Sequence, residues 1–219
     1  MQHELRTFDD PTALATAAAA YVAERARAIQ ARGATFAFAV SGGKSPWAMF
    51  ETLVHDDVDW AATRIYQVDE RVVREDNDER NLKSLRRALK GTNAPIEAMD
   101  VESDDLEVAC WNYASLLPEC FDLIHLGVGP DGHCASLVPG DPVLELTDQL
   151  VALSGPYQDT LRMTLTYPAL ERADQILWLI SGKDKREALA KLLAGDHSIP
   201  AGRVMAGTSL VMADRAALG

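Results

Sequence analysis

An aspartate and a histidine two residues apart, Asp131 and His133, lie inside the glycine-rich stretch HLGVGPDGHCASLVPG, residues 125–140. At that spacing a carboxylate can hold an imidazole directly or through the turn backbone. A neutral histidine is suited to take a proton from water near neutral pH. The same stretch has the glycine spacing of a dinucleotide-binding turn, with Gly127, Gly129 and Gly132 following an apolar run. Three features argue against a nucleotide. Pro130 lacks an N–H, Asp131 brings negative charge toward a pyrophosphate, and no acidic residue ends the next strand to bind a ribose. Cys134 adjoins His133, but consecutive residues on a turn rarely aim both side chains at one atom, so a thiol nucleophile is disfavoured. His3, His55, His125 and His197 make no metal-ligand spacing with a cysteine or carboxylate. His125, within the apolar run, reads as a packed histidine.

Other polar clusters supply possible anion contacts. SGGKSP (41–46) puts Gly42 and Gly43 where backbone N–H groups can turn toward an anion, adds the hydroxyls of Ser41 and Ser45 and the charge of Lys44, and leads into a helix opened by Pro46. A nucleotide-phosphate loop would need glycine at position 38, where the chain has Phe38. What remains is a phosphate or carboxylate nest, or an ordinary strand-to-helix turn. In DER (69–71) adjacent residues of an extended chain point opposite ways, so Asp69 and Glu70 divide their roles: one lines a pocket and the other anchors Arg71 or the loop, unless both simply cap the turn. In the charged segment that follows, Asn77 and Asn81 can make specific turn or ligand hydrogen bonds. RMTLTYPAL (162–170) alternates like a strand led by Arg162, and SGKDK (181–185) sets Lys183 and Lys185 on a turn. Each of these cations taken alone can be a solvated charge; together they favour a phosphorylated substrate.

The elements that must position these residues follow from apolar runs and turn signals. Helices are expected over 11–32, from Pro46 through WAMFETLV, over 79–90, over 103–117 and after SGKDK; strands are expected over 35–40, 63–68, 121–128, 151–154, 175–180 and 209–213. Short apolar strands alternating with helices indicate an α/β fold, with an open, mostly parallel sheet flanked by helices on both faces. Nothing in the chain forces a domain cut, so residues 1–219 are read as a single domain. SGGKSP, DER, GPDGH and SGKDK all follow strands. In an open parallel sheet such loops share one edge, where ligands bind.

Composition sets the remaining bounds. With 21 Lys and Arg against 33 Asp and Glu, the formal net charge is −12, which repels a nucleic-acid backbone; nucleic acid is not an expected partner. Three scattered cysteines give no disulfide framework and fit a reducing compartment. The acidic residues of MQHELRTFDDP do not suit a signal peptide, and no apolar run approaches a membrane span of about 18 residues. The expected location is cytoplasmic, with no membrane partner.

SGGKSPWAMFETL, DW (59–60), VDERVV, LGVGPDGHCASLVPG, RMTLTYPAL, SGKDKREAL, IPAGRV and LVMADRAA together resemble the 6-phosphogluconolactonase family, within the glucosamine-6-phosphate isomerase/deaminase-like group, over roughly residues 10–217. The GPDGHCASLVPG segment carries the most specific part of the resemblance. It implies the Rossmann-like fold of that group and a carboxylic ester hydrolase of the pentose phosphate pathway. The implied reaction opens 6-phospho-D-glucono-1,5-lactone without metal or organic cofactor. It places the general base on His133, supported by Asp131, and the phosphate grip on Ser41, Gly42, Gly43 and Lys44, joined by Arg71, Arg162 and Lys185. Asp69 then lines the sugar site. The expected partner is the phosphorylated lactone, bound by a monomer or small homo-oligomer. Deaminases of the group carry phenylalanine-asparagine-glutamate after the histidine and use that glutamate in ring opening. This chain has Ser136-Leu137-Val138 there, which favours the lactonase branch. One departure precedes Arg162, where lactonases commonly show a lysine- and proline-rich loop and this chain has SGPYQDTL.

Overall fold

The computed structural model describes residues 2–219. The chain runs β1 (Glu4–Phe8), α1 (Pro11–Gln30), β2 (Phe36–Val40), α2 (Lys44–Leu53), β3 (Thr63–Gln67), β4 (Asp69–Arg71), α3 (Asn81–Ala88) and β5 (Ile96–Glu97). It continues through α4 (Leu106–Leu116), β6 (Leu123–Leu126), β7 (Val151–Tyr157), β8 (Thr160–Leu165), α5 (Tyr167–Leu170) and β9 (Gln175–Ile180). It ends with α6 (Arg186–Leu193), β10 (Thr208–Asp214) and α7 (Arg215–Leu218). Seven strands form one sheet in the order β1-β10-β9-β6-β2-β3-β5, every pairing parallel. β4, β8 and β7 form a second, antiparallel sheet.

The apolar runs are unbroken because the large sheet is covered on both faces, and successive side chains enter different cores. In β2, Phe36, Phe38 and Val40 pack with residues of α1 and α2, while Ala37 and Ala39 face the core containing Ala109 and Tyr113 of α4. In β9, Leu177 and Leu179 take the first side and Ile176, Trp178 and Ile180 the second. The alanine-rich helix α1 presents Leu14, Ala18, Val22 and Ala26 inward at helical spacing. Its start is fixed by Pro11 and by Asp10, whose carboxylate accepts from Ala13 N at 2.8 Å.

Three expectations need correction. Residues 151–154 do form a strand, but in the small antiparallel sheet, because the short turn at Gln158–Asp159 folds the chain straight back and pairs them with β8. The strand expected over 162–170 stops at Leu165. Pro168 fits the first turn of a helix, and 167–170 make that turn with Thr166 at its N-cap. Helix α2 opens at Lys44, not at Pro46, with Pro46 still in the first turn where its missing N–H breaks no helical bond. β1 was not foreseen. Its residues are mostly exposed and carry Glu4 and Arg6, so only pairing with β10 marks it as a strand.

The strand order reverses between β2 and β6, which are direct neighbours. The loops SGGKSP and GVGPDGH leave these two strands side by side. After β3 the chain passes through Val68, bonded to both Val40 and Leu165 backbones, and enters β4, so the small sheet rises beside the same edge.

Candidate active site

The loops at this edge enclose a cavity of about 470 Å³. Ser41, Gly42, Gly43 and Lys44 line it after β2, Asp69 and Arg71 on β4, His133 after β6, Arg162 on β8 and Lys185 after β9. Segments far apart in sequence meet here because they all leave the same edge of the two sheets. Asp131 does not line the cavity; it stands behind His133, its Oδ1 2.6 Å from His133 Nδ1 and accepting from His133 N at 3.2 Å. A carboxylate only accepts, so Nδ1 carries the proton in the neutral ring and Nε2 keeps its lone pair. Burial opposes the charge of Asp131, but the charge of His133 and its hydrogen bonds outweigh burial and hold the carboxyl below its ordinary range.

Two of the three glycines in this loop have a steric reason. A Cβ on Gly129 would lie 2.1 Å from His133 Nδ1 and Cε1 and 2.6 Å from Asp131 Oδ1, so the imidazole packs onto bare backbone. Gly132 adopts φ 84°, and a Cβ there would also meet Ile199 at 2.5 Å. The turn closes through Gly129 N to His133 O at 2.8 Å. Cys134, next in sequence, is buried, and burial pushes its thiol upward, away from thiolate chemistry.

DER divides as strand geometry requires. Asp69 turns to the cavity side, where Ser136 Oγ donates to its Oδ2 at 2.7 Å and Ser41 Oγ to its Oδ1 at 3.3 Å. Glu70, fully buried, accepts from Arg71 N at 2.8 Å, Asn81 N at 2.8 Å, Leu82 N at 2.7 Å and Gln67 Nε2 at 2.9 Å. It thereby fixes the loop and the start of α3. Asn81 reaches back, donating to Asp69 O at 3.0 Å and accepting from Arg71 Nη1 at 3.1 Å.

Arg71 and Arg162 are register partners across β4 and β8. Among the described residues neither guanidinium forms a salt bridge with a carboxylate; Arg71 donates to Glu79 O at 2.6 Å and Arg162 to Tyr157 O at 3.3 Å, and both Nε atoms are buried without a partner. Burial first, then the like charge of Arg71, lower the pKa of Arg162. Helix α2 aims its first turn at the same space, with Gly43 as N-cap offering no side-chain hydrogen bond. Helix-end N–H groups and two guanidiniums without salt-bridge partners among the described residues are chemistry that can receive an anion, in a chain of net charge −12. Lys44 is exposed at its rim, and Lys185 lies 3.3 Å from Asp184.

Two features were not legible as site elements. Tyr157, from the loop where the family resemblance fails, packs its ring against His133, with centroids 5.0 Å apart. His125 is buried as expected, yet it lies under the cavity with neither ring nitrogen bonded, and burial lowers its pKa to about 3. Among the described residues no three His, Cys, Asp or Glu side chains converge as a metal site, and no helix is long and apolar enough to cross a membrane.

A family model described as glucosamine-6-phosphate isomerases/6-phosphogluconolactonase matches residues 9–212. The 6-phosphogluconolactonase of Mycobacterium tuberculosis is 34% identical over 240 residues, covering 98% of this chain and 97% of that protein. The 6-phosphogluconolactonase of Rhizobium meliloti is 33% identical over 213 residues, covering 90% of this chain and 91% of that protein. The crystal structure of a 6-phosphogluconolactonase from Thermotoga maritima has a TM-score of 0.88 at 25% identity, covering 98% of this chain and 100% of that one. One from Shewanella baltica has a TM-score of 0.85 at 27% identity, covering 97% and 98%.

Proposed function

Because the chain belongs to the glucosamine-6-phosphate isomerase/6-phosphogluconolactonase family, we propose that it hydrolyses 6-phospho-D-glucono-1,5-lactone to 6-phospho-D-gluconate, in the oxidative part of the pentose phosphate pathway. The observation that carries this reading is the His133–Asp131 pair, 2.6 Å apart, at a cavity whose wall holds Arg71 and Arg162 without carboxylate partners. The pair offers a proton acceptor, and the wall offers a place for a phosphate.

In this mechanism His133 Nε2 takes a proton from water as the water oxygen attacks the lactone carbonyl carbon. The tetrahedral intermediate collapses with cleavage of the bond to the ring oxygen, and the imidazolium returns the proton to that oxygen. Asp131 keeps the ring in the required tautomer and steadies its positive charge. The phosphate, held by Arg71, Arg162, Lys44, Lys185 and the Ser41–Gly43 backbone, is remote from the reacting carbon, so its binding energy goes into positioning. Asp69 lines the sugar site. No protein nucleophile is needed, which agrees with the buried state of Cys134.

The deaminase branch is disfavoured by a second feature. The first carboxylate after His133 is Asp141, and it is committed to the backbone, accepting from Val143 N at 2.8 Å and Gly155 N at 2.7 Å. It is not free for ring opening.

Purified protein is expected to speed acid release from freshly made 6-phosphogluconolactone well above the spontaneous rate, and His133→Asn to remove that gain while the fold persists. Full activity in the variant overturns the base assignment. Equal turnover of a lactone lacking the phosphate overturns the anion grip, and ammonia release from an amino sugar phosphate would move the chain to the other branch.

A further inference from the structure

Tyr157 is the last residue of β7, where the hairpin to β8 turns through Gln158 and Asp159. Both turn residues sit in the left-handed region, at φ 53° and 61°. A two-residue turn of this type matches the twist of its strands and leaves little slack. The β7–β8 register shifts between Ser154 and Tyr157, and the turn closes on the Tyr157–Thr160 pair, which sets where the Tyr157 side chain leaves the strand.

That side chain makes two contacts of interest. Its ring meets the His133 imidazole, with centroids 5.0 Å apart and planes inclined at 60°. The Arg162 guanidinium lies over the same ring, 5.2 Å from its centroid, and Arg162 Nη2 donates to the Tyr157 carbonyl at 3.3 Å. The Asp131 hydrogen bond fixes one nitrogen of the imidazole and the Gly129 backbone packs against the ring. The Tyr157 edge adds a further contact to the imidazole, and a cation over the aromatic face ties the same tyrosine to the wall that carries Arg71 and Arg162.

We propose that Tyr157 is a positioning residue that couples His133 to Arg162, so that the orientation of the base and the placement of the phosphate-binding cation are set by one aromatic ring. The inference rests on the reading of His133 as general base and Arg162 as phosphate contact, and it adds a residue that no motif of the chain marks. Burial first, then nearby Asp131, raise the pKa of the Tyr157 hydroxyl and keep it protonated; the coupling itself runs through the two ring contacts.

The test compares Tyr157→Leu with Tyr157→Phe in steady-state hydrolysis of 6-phosphogluconolactone. Leucine keeps apolar bulk without an aromatic face; it is expected to lower kcat about tenfold and to raise KM severalfold as Arg162 loosens. Phenylalanine keeps the ring and is expected to restore both constants to within about twofold of the parent. Parent-like constants in Tyr157→Leu overturn the proposal, as does a Phe variant as impaired as the Leu one. In the unaltered protein, nuclear Overhauser contacts between the Tyr157 ring and the His133 imidazole protons are expected, and their absence overturns it without any variant. His133→Asn is measured alongside. If that variant keeps turnover, the base reading falls and the coupling with it; if it is inactive while Tyr157→Leu is unimpaired, only the coupling falls.

Discussion

Arg71 and Arg162 are register partners across an antiparallel strand pair, and among the described residues neither guanidinium forms a salt bridge. Like charges directly opposite on a sheet destabilise it, a cost that a bound anion relieves. A ligand at about 100 times its dissociation constant stabilises a fold by roughly 3 kcal/mol. Saturating 6-phosphogluconate is therefore expected to raise the melting temperature by several degrees. Arg162→Met is expected to melt higher than the parent in phosphate-free buffer and to lose most of the ligand response. A variant that responds as strongly as the parent removes Arg162 from the anion site.

Gly129 gives the sharpest test of the dyad's packing. A methyl group there would lie 2.1 Å from His133 Nδ1 and Cε1 and force the imidazole to move. Gly129→Ala is expected to cut kcat by about a hundredfold, the scale of an ångström-sized misplacement of a catalytic group. Melting curves will show a folded protein, and KM will change less than kcat. Unchanged turnover would mean that the imidazole works from a different position.

His125 links stability to acid. Its folded pKa of about 3 lies below that of an unfolded histidine, roughly 6.5. The unfolded chain binds the extra proton between these limits, so this contribution is complete above about pH 6.5 and falls by roughly 1.4 kcal/mol per pH unit as pH drops toward the folded value. His125→Leu removes two unpaired buried nitrogens and the titration together. Urea melts should show it about 1 kcal/mol more stable near neutrality, with a larger gain near pH 5. A gain that does not grow on acidification rejects the linkage.

The β7–β8 turn carries two residues with side chains at positive φ, where Asn-Gly is the favoured pair. Replacing Gln158 and Asp159 by Asn and Gly should stabilise the protein by about 1 kcal/mol. Because Tyr157 stays in place, hydrolysis should be unchanged. A loss of activity at equal or higher stability would show that the two side chains themselves take part.

How much of this was legible in the chain depended on how local the cause was. The buried strands β2, β6 and β9 and the helix α1 announced themselves, because burial on both faces or along one helical stripe writes a periodic pattern. The opposite directions of Asp69 and Glu70 followed from strand geometry alone. The edge strand β1 and the small antiparallel sheet were hidden, since their identity lies in pairing between distant segments. For the same reason Arg71 and Arg162 were legible as cations but not as register partners. Tyr157 carried no local signal at all; its importance comes from the residues that two other loops bring to it.

The backbone N–H of Ser41 donates to the carbonyl of His125 at 3.3 Å, extending the β2–β6 ladder to the point where both functional loops begin. The starts of the SGGKSP loop and of the loop that carries His133 are thus spaced by adjacent, hydrogen-bonded strands instead of by flexible chain. If the first loop grips the phosphate and His133 is the base, as proposed, the sheet works as a ruler, and a substrate is admitted to chemistry by its length: a lactone needs its carbonyl the right number of bonds from its phosphate to bring both ends to their marks.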